Sequence, residues 1–155
     1  MSTSILGGMR NDGGRPDLAA MMVPLGRALM AAERPVLDAH GLTMWGYTVL
    51  LGLGDEPVRT QGALAQAIGA DKTRIIGVLD DLQESGLIER RPDPGDRRVH
   101  LVSLTGAGRR VRAAAQAAIQ EREDRLLARL PAADRAPFLR ALQALAALPR
   151  DEIVG

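Results

Sequence analysis

The order of apolar and polar residues along the chain predicts a mainly helical protein interrupted once by a β-hairpin. From Pro16 to His40, Leu18, Met21, Met22, Leu25, Leu29, Ala32, Val36 and Leu37 recur at steps of three and four, the period of one helical face. Pro24 and Pro35 fall inside this stretch and predict kinks or two shorter pieces. Gly41 supplies a stop. Thr43 is placed to cap a second helix to about Leu53, with Trp45, Val49 and Leu53 on one face. Thr60 can cap a short third helix carrying Leu64, Ala65 and Ile68, which Gly69 ends. Asp71 can cap a fourth, Lys72 to about Ser85, whose Ile75, Val78, Leu79 and Leu82 form an i, i+3, i+4, i+7 stripe.

The period then changes. Leu87 to Arg91 and Arg98 to Leu104 read as strands, and Pro92-Asp93-Pro94-Gly95-Asp96 between them is dense in turn residues, so the two runs form a hairpin. Thr105 can cap a long helix to about Leu130. Asp134 can cap a last one with Phe138, Leu142 and Leu145 inward, which Pro149 ends. The expected order is α-α-α-α-β-β-α-α. Residues 1–15, polar and glycine-rich, read as a flexible N-terminal arm.

Composition narrows the chemistry. The 155 residues suffice for one domain with its own core. There is no cysteine, which excludes disulfides, thiolate metal sites and thiol-based redox sensing. Two histidines, His40 and His100, make a metal site improbable, and no cofactor is expected. No apolar run approaches the ~20 residues of a membrane span, and no apolar stretch follows a basic start as in a secretory leader, so a cytoplasmic protein without membrane contact is expected. No Ser-His-Asp set or phosphate-binding loop stands out, so the chain does not read as an enzyme. Gly52-Leu53-Gly54 lacks a third glycine, and Gly106-Ala107-Gly108 at a helix start offers at most an anion site.

Charge is informative only locally. The whole chain carries +1, yet residues 88–112 hold seven arginines against Glu89, Asp93 and Asp96, a local net of +4. Two short helices joined through Gly69 and followed by a hairpin make a winged helix-turn-helix. The fourth helix offers Lys72, Thr73, Arg74 and Gly77 near its N-terminus, the end that reaches base edges in a major groove. Arg74 can pair with guanine O6 and N7, and Gly77 lets the helix sit close. Arg97 and Arg98 stand at the hairpin turn, where an arginine can enter a narrow minor groove, and Asp96 can hold the Arg98 guanidinium in one direction. Thr60 and Gln61 at the start of the third helix and Arg90 on the first strand complete the expected DNA-binding set. Double-stranded DNA is the expected partner.

In this arrangement residues from about 18 to 130 resemble the MarR family of transcriptional regulators. The resembling strings are Leu42-Thr43-Met44-Trp45, Leu64-Ala65-Gln66-Ala67-Ile68-Gly69, Asp71-Lys72-Thr73-Arg74, and the run from Gly86 to Arg98 closed by Val102-Ser103-Leu104-Thr105. The resemblance implies a homodimer in which 16–40 and 105–155 form the dimerisation helices and 41–104 the winged DNA-binding domain. It implies a regulator, expected to be a repressor, on a pseudo-palindromic operator, released by a small aromatic or phenolic anion. Asp96 and Arg98 match the family's Asp-x-Arg wing pattern. Gly77 and Asp81 depart from the family's usual basic or polar residues, which leaves base readout to Lys72, Thr73 and Arg74. Met30, Arg34, His40, Met44, Trp45 and Tyr47 are candidate effector contacts, with Arg34 or His40 placed to meet a carboxylate. Two readings of these six stay open, a binding site or ordinary core and helix-end residues. A winged-helix module that binds protein rather than specific DNA is the alternative function.

Overall fold

The computed structural model describes residues 14–54 and 59–155. The expected N-terminal arm lies outside the described residues except at its last two positions. The elements run α1 (Leu18–Ala39), α2 (Met44–Leu53), β1 (Arg59–Thr60), α3 (Gln61–Ile68), α4 (Lys72–Glu84), β2 (Ile88–Pro92), β3 (His100–Leu104), α5 (Gly106–Leu127), α6 (Ala132–Ala146) and α7 (Arg150–Val154). Four of the expected caps form. The side-chain oxygens of Thr43, Thr60, Asp71 and Thr105 accept the backbone N–H three residues on, at 3.0, 3.1, 2.7 and 3.0 Å.

Four expectations are corrected. Of the kinks or two shorter pieces expected at Pro24 and Pro35, the division into two pieces does not occur, and α1 is one continuous helix. Each proline removes one hydrogen bond, but both stand on the exposed side of the helix, where water can take the place of the missing donor. Pro131 stands at the N-cap position of α6 without a side-chain cap bond, and Asp134 lies in the first turn, where its carboxylate still meets the positive end of the helix dipole. A short strand, β1, joins the hairpin, so the sheet has three antiparallel strands in the order β1-β3-β2. β3 pairs with both neighbours: Arg59 lies opposite Val102, and Ile88 opposite Leu104. Finally, Pro149 does not end helical structure but starts α7, because its fixed φ suits a helix entry.

One core holds these elements together. Leu37 of α1, Leu50 and Leu53 of α2, Leu64 of α3, Ile75 and Leu79 of α4, Ile88 and Val102 of the sheet, and Ala115 and Ile119 of α5 are all buried in it. Two glycines are required by this packing. A Cβ on Gly52 would lie 2.5 Å from Ile68, so α3 seats against bare α2 backbone. A Cβ on Gly108 would lie 2.0 Å from the Leu87 carbonyl oxygen, so the start of α5 seats against the chain entering β2. Thr105 ties the same junction, its N–H donating to Leu87 O at 3.1 Å and its hydroxyl to Gly86 O at 2.7 Å. Packing thus accounts for one glycine in each of the two glycine-containing motifs.

α6 behaves differently. Phe138, Leu142 and Leu145, expected inward, are 37–50% exposed, as is Leu139 beside them, and α6 makes no substantial packing with another described element of its chain. Leu18, Met21, Met22 and Leu25 at the start of α1 are also exposed.

Candidate nucleic-acid interface

α3 and α4 meet through Gly69, whose φ of 69° is a left-handed conformation that side-chain-bearing residues adopt reluctantly. Asp71 then starts α4. Its back face, Ile75, Leu79 and Leu82, is buried, and it packs on α2 and α3. Its front leaves Lys72, Thr73, Arg74, Ile76 and Gly77 exposed. An open cleft of about 440 Å³ runs between this front, the start of α3 and the wing, lined by Thr60, Gln61, Gly62, Lys72, Ile75, Ile76, Arg98, Val99 and His100. Four of the expected DNA-binding residues, Thr60, Gln61, Lys72 and Arg98, therefore come together from three separate segments. Thr73, Arg74 and Gly77 share the exposed front of α4 without lining that cleft.

Ile76, Val99 and His100 also line the cleft, although the sequence singled out none of them for binding. Ile76 is 49% exposed. The available signal is its position: one residue past Ile75, it turns about 100° away from the buried stripe. An apolar side chain at that place suits contact with a thymine methyl.

The wing tip is a built turn. Asp93 N–H donates to Val99 O at 2.8 Å, Val99 N–H to Asp96 O at 2.9 Å, and Gly95 N–H to Asp93 Oδ1 at 2.8 Å. Asp96 receives the backbone N–H and Nε of Arg98 at 3.1 Å each on Oδ1, and Nη2 at 3.3 Å on Oδ2. These bonds, side chain first and backbone second, hold the Asp96 carboxyl below its ordinary pKa. The Arg98 side chain is otherwise 91% exposed. The carboxylate thus orients an arginine that projects into solvent, as the spacing predicted, and Arg97 is exposed beside it.

Arg90 is placed differently from the rest of the set. Its Nε donates to Gln83 Oε1 at 2.6 Å and its Nη2 to Asp80 Oδ1, and only 19% of the side chain is exposed. It fastens β2 to α4 instead of presenting a free cation. Asp81, a source of repulsion if it faced phosphates, lines a cleft with Gly41, Thr43 and Ser85, not the cleft of Lys72 and Arg98.

The six candidate effector contacts separate. Arg34, Met44 and Trp45 line one cavity of about 320 Å³ with Leu37, Asp38, Leu42 and Thr43. Tyr47 lies in the core: two residues from Trp45 along a helix, it faces another side. Burial first, then the charges of Glu33 and Glu123, push its hydroxyl pKa up, against a lowering by Arg112. The Nδ1 of His40 lies 2.8 Å from the Val36 carbonyl at the end of α1. Met30 is exposed on α1. A second, apolar cavity of about 270 Å³ lies between α1 and α5, lined by Leu25, Leu29, Ala32, Val36, Ile119 and Leu126 with Glu33, Arg122 and Glu123 at its polar side. Burial, then Glu123, raises the Glu33 pKa. Among the described residues no group of three or more acidic or histidine side chains is placed to hold a metal ion, and no helix is long and apolar enough to cross a membrane.

Comparison with known proteins agrees with this geometry. The sequence profile of the MarR family matches residues 40–99. A transcriptional regulatory protein for the hcr operon of Thauera aromatica is 31% identical over 112 residues, 72% of this chain and 68% of the relative. The transcriptional repressor CouR, solved bound to a 23-mer DNA duplex, is 30% identical with a TM-score of 0.74, covering 84% of this chain and 92% of that one. The PcaV regulator of Streptomyces coelicolor, solved with its natural ligand, is 29% identical with a TM-score of 0.64 over 86% of this chain and 96% of its own. A helix-turn-helix with a basic wing, on a fold shared with these regulators, makes the chain a member of the MarR family of DNA-binding transcriptional regulators.

Proposed function

We propose that the chain acts as a homodimeric repressor that reads a pseudo-palindromic operator and is released by a small aromatic anion. The observation that carries the DNA reading is the cleft that gathers Thr60, Gln61, Lys72 and Arg98 beside the exposed front of α4, with Asp96 directing Arg98 outward. In this reading Lys72 and Arg98 meet phosphates and the minor groove, Thr73 and Arg74 read the major groove, Thr60 and Gln61 position the duplex, and Arg90 braces the wing. Dimerisation is supported by α6, whose apolar face is largely uncovered by the described elements of its own chain. Residues 16–40 and 105–155 would form the dimer base, setting two recognition helices about 34–36 Å apart, one turn of DNA. The effector site proposed is the cavity of Arg34, Met44 and Trp45, where a guanidinium and an indole suit an aromatic carboxylate. The cavity between α1 and α5 suits an anion less well, because Glu33 and Glu123 stand against Arg122 alone at its polar side.

Fluorescence anisotropy against the DNA upstream of the gene, with a scrambled duplex as control and salt varied, tests the reading. Binding that prefers the native duplex and weakens steeply with salt is expected. Equal, weak binding to both would favour the protein-interaction module. The same assay screens aromatic carboxylates for release.

A further inference from the structure

Arg74 does not hang free from the recognition helix. Its guanidinium carbon lies 5.3 Å from the centroid of the Trp45 ring, over its face. Trp45 belongs to the first turn of α2 and Arg74 to the first turn of α4, so the contact bridges two elements. Both ends of the arginine are held: its backbone N–H donates to Asp71 Oδ1 at 2.7 Å, and its head rests on a half-buried indole. A cation over an indole is attracted by the ring, and the five N–H donors of a guanidinium form a planar fork whose direction follows from how the group is held. An arginine held in this way gives up rotamer freedom before DNA arrives.

We propose that Trp45 is a positioning residue for Arg74, setting the direction of its guanidinium and with it the base preference at one position of each half-site. The proposal rests on the reading of Arg74 as a base contact. It also gives the tryptophan a task that neither core packing nor effector binding supplies.

The test uses the full-length protein and a duplex selected by it from a randomised pool, with a scrambled duplex as control. Trp45→Leu is expected to weaken binding to the selected duplex about two- to fivefold, the worth of an exposed cation–π contact, with less loss on the scrambled one. Trp45→Phe, which keeps a ring, is expected to retain most of the affinity. In an Arg74→Ala background Trp45→Leu should have no further effect. Additive losses would overturn the positioning role alone, because a merely structural tryptophan weakens both backgrounds alike. An Arg74→Ala variant with unchanged affinity and specificity would overturn the reading of Arg74 and the proposal with it. A separate arm leaves Trp45 in place: it is the only tryptophan, so Arg74→Ala must change the emission of the free protein, and unchanged emission overturns the contact.

Discussion

Gly108→Ala and Gly77→Ala make the same chemical change in two helices and should have opposite effects. At Gly108 the added methyl would stand 2.0 Å from Leu87 O and 3.3 Å from Leu104 Cδ2. A carbon–oxygen approach below about 3 Å is repulsive, so the start of α5 must retreat by about 1 Å. That movement stretches the Thr105 N–H to Leu87 O bond and the Thr105 hydroxyl to Gly86 O bond, each worth about 1 kcal/mol. Crowding in a packed junction costs a further ~1–3 kcal/mol. The better helix propensity of alanine returns about 1 kcal/mol. The net loss is therefore about 2–4 kcal/mol, or a fall in Tm of roughly 5–15 °C for a chain of this size. At Gly77 nothing lies within 4 Å of the added carbon, so only the propensity gain applies, about 1 kcal/mol and a rise of ~2–4 °C. Thermal unfolding followed by circular dichroism at one fixed protein concentration reads both variants. A Gly108→Ala protein within about 0.5 kcal/mol of wild type, or one that shifts in the same direction as Gly77→Ala, would refute the close approach of α5 to β2.

Three further outcomes are expected. Arg98→Ala should weaken DNA binding with the fold intact and reduce the salt slope of log Kd by about one; an unchanged affinity would remove the wing from the interface. Phe138→Asp should shift the protein from dimer to monomer in light scattering, because a carboxylate cannot be buried without a partner; a persisting dimer would place the interface elsewhere. Glu33→Gln should raise Tm near neutral pH. The folded-state pKa of Glu33 is raised by burial and then by Glu123, so its charged form is disfavoured in the fold and the wild type loses stability as pH rises through that value. The gap between variant and wild type should close as pH falls through the carboxylate range, and a gap that widens on acidification would contradict the assignment.

Much of the candidate site was legible from local sequence. Thr43, Thr60, Asp71 and Thr105 announce helix starts because a cap is a contact across three residues. Asp96 and Arg98 announce their pairing because they are two apart on a turn. The apolar stripe Ile75, Leu79 and Leu82 names the back of α4, and so leaves Lys72, Thr73 and Arg74 for the front. Pro24 and Pro35 do not split α1, because a proline removes one hydrogen bond, whereas the helix is held by many others and by packing on α5.

The sequence by itself determined every element but β1 and α7, the order of those elements, the basic wing and the family, since each depends on residues within a turn or two of one another. Tertiary structure alone decided which of those residues meet. It set Ile76 and His100 beside Lys72 and Arg98, used Arg90 to fasten the wing to α4, and laid Arg74 on Trp45 while sending neighbouring Tyr47 into the core. It gave Gly52 and Gly108 a packing role where their motifs had hinted at ligands, and it left the apolar face of α6 largely uncovered by the described elements of its own chain. These are meetings of side chains brought together by packing, mostly from segments far apart along the chain, and no local periodicity encodes them.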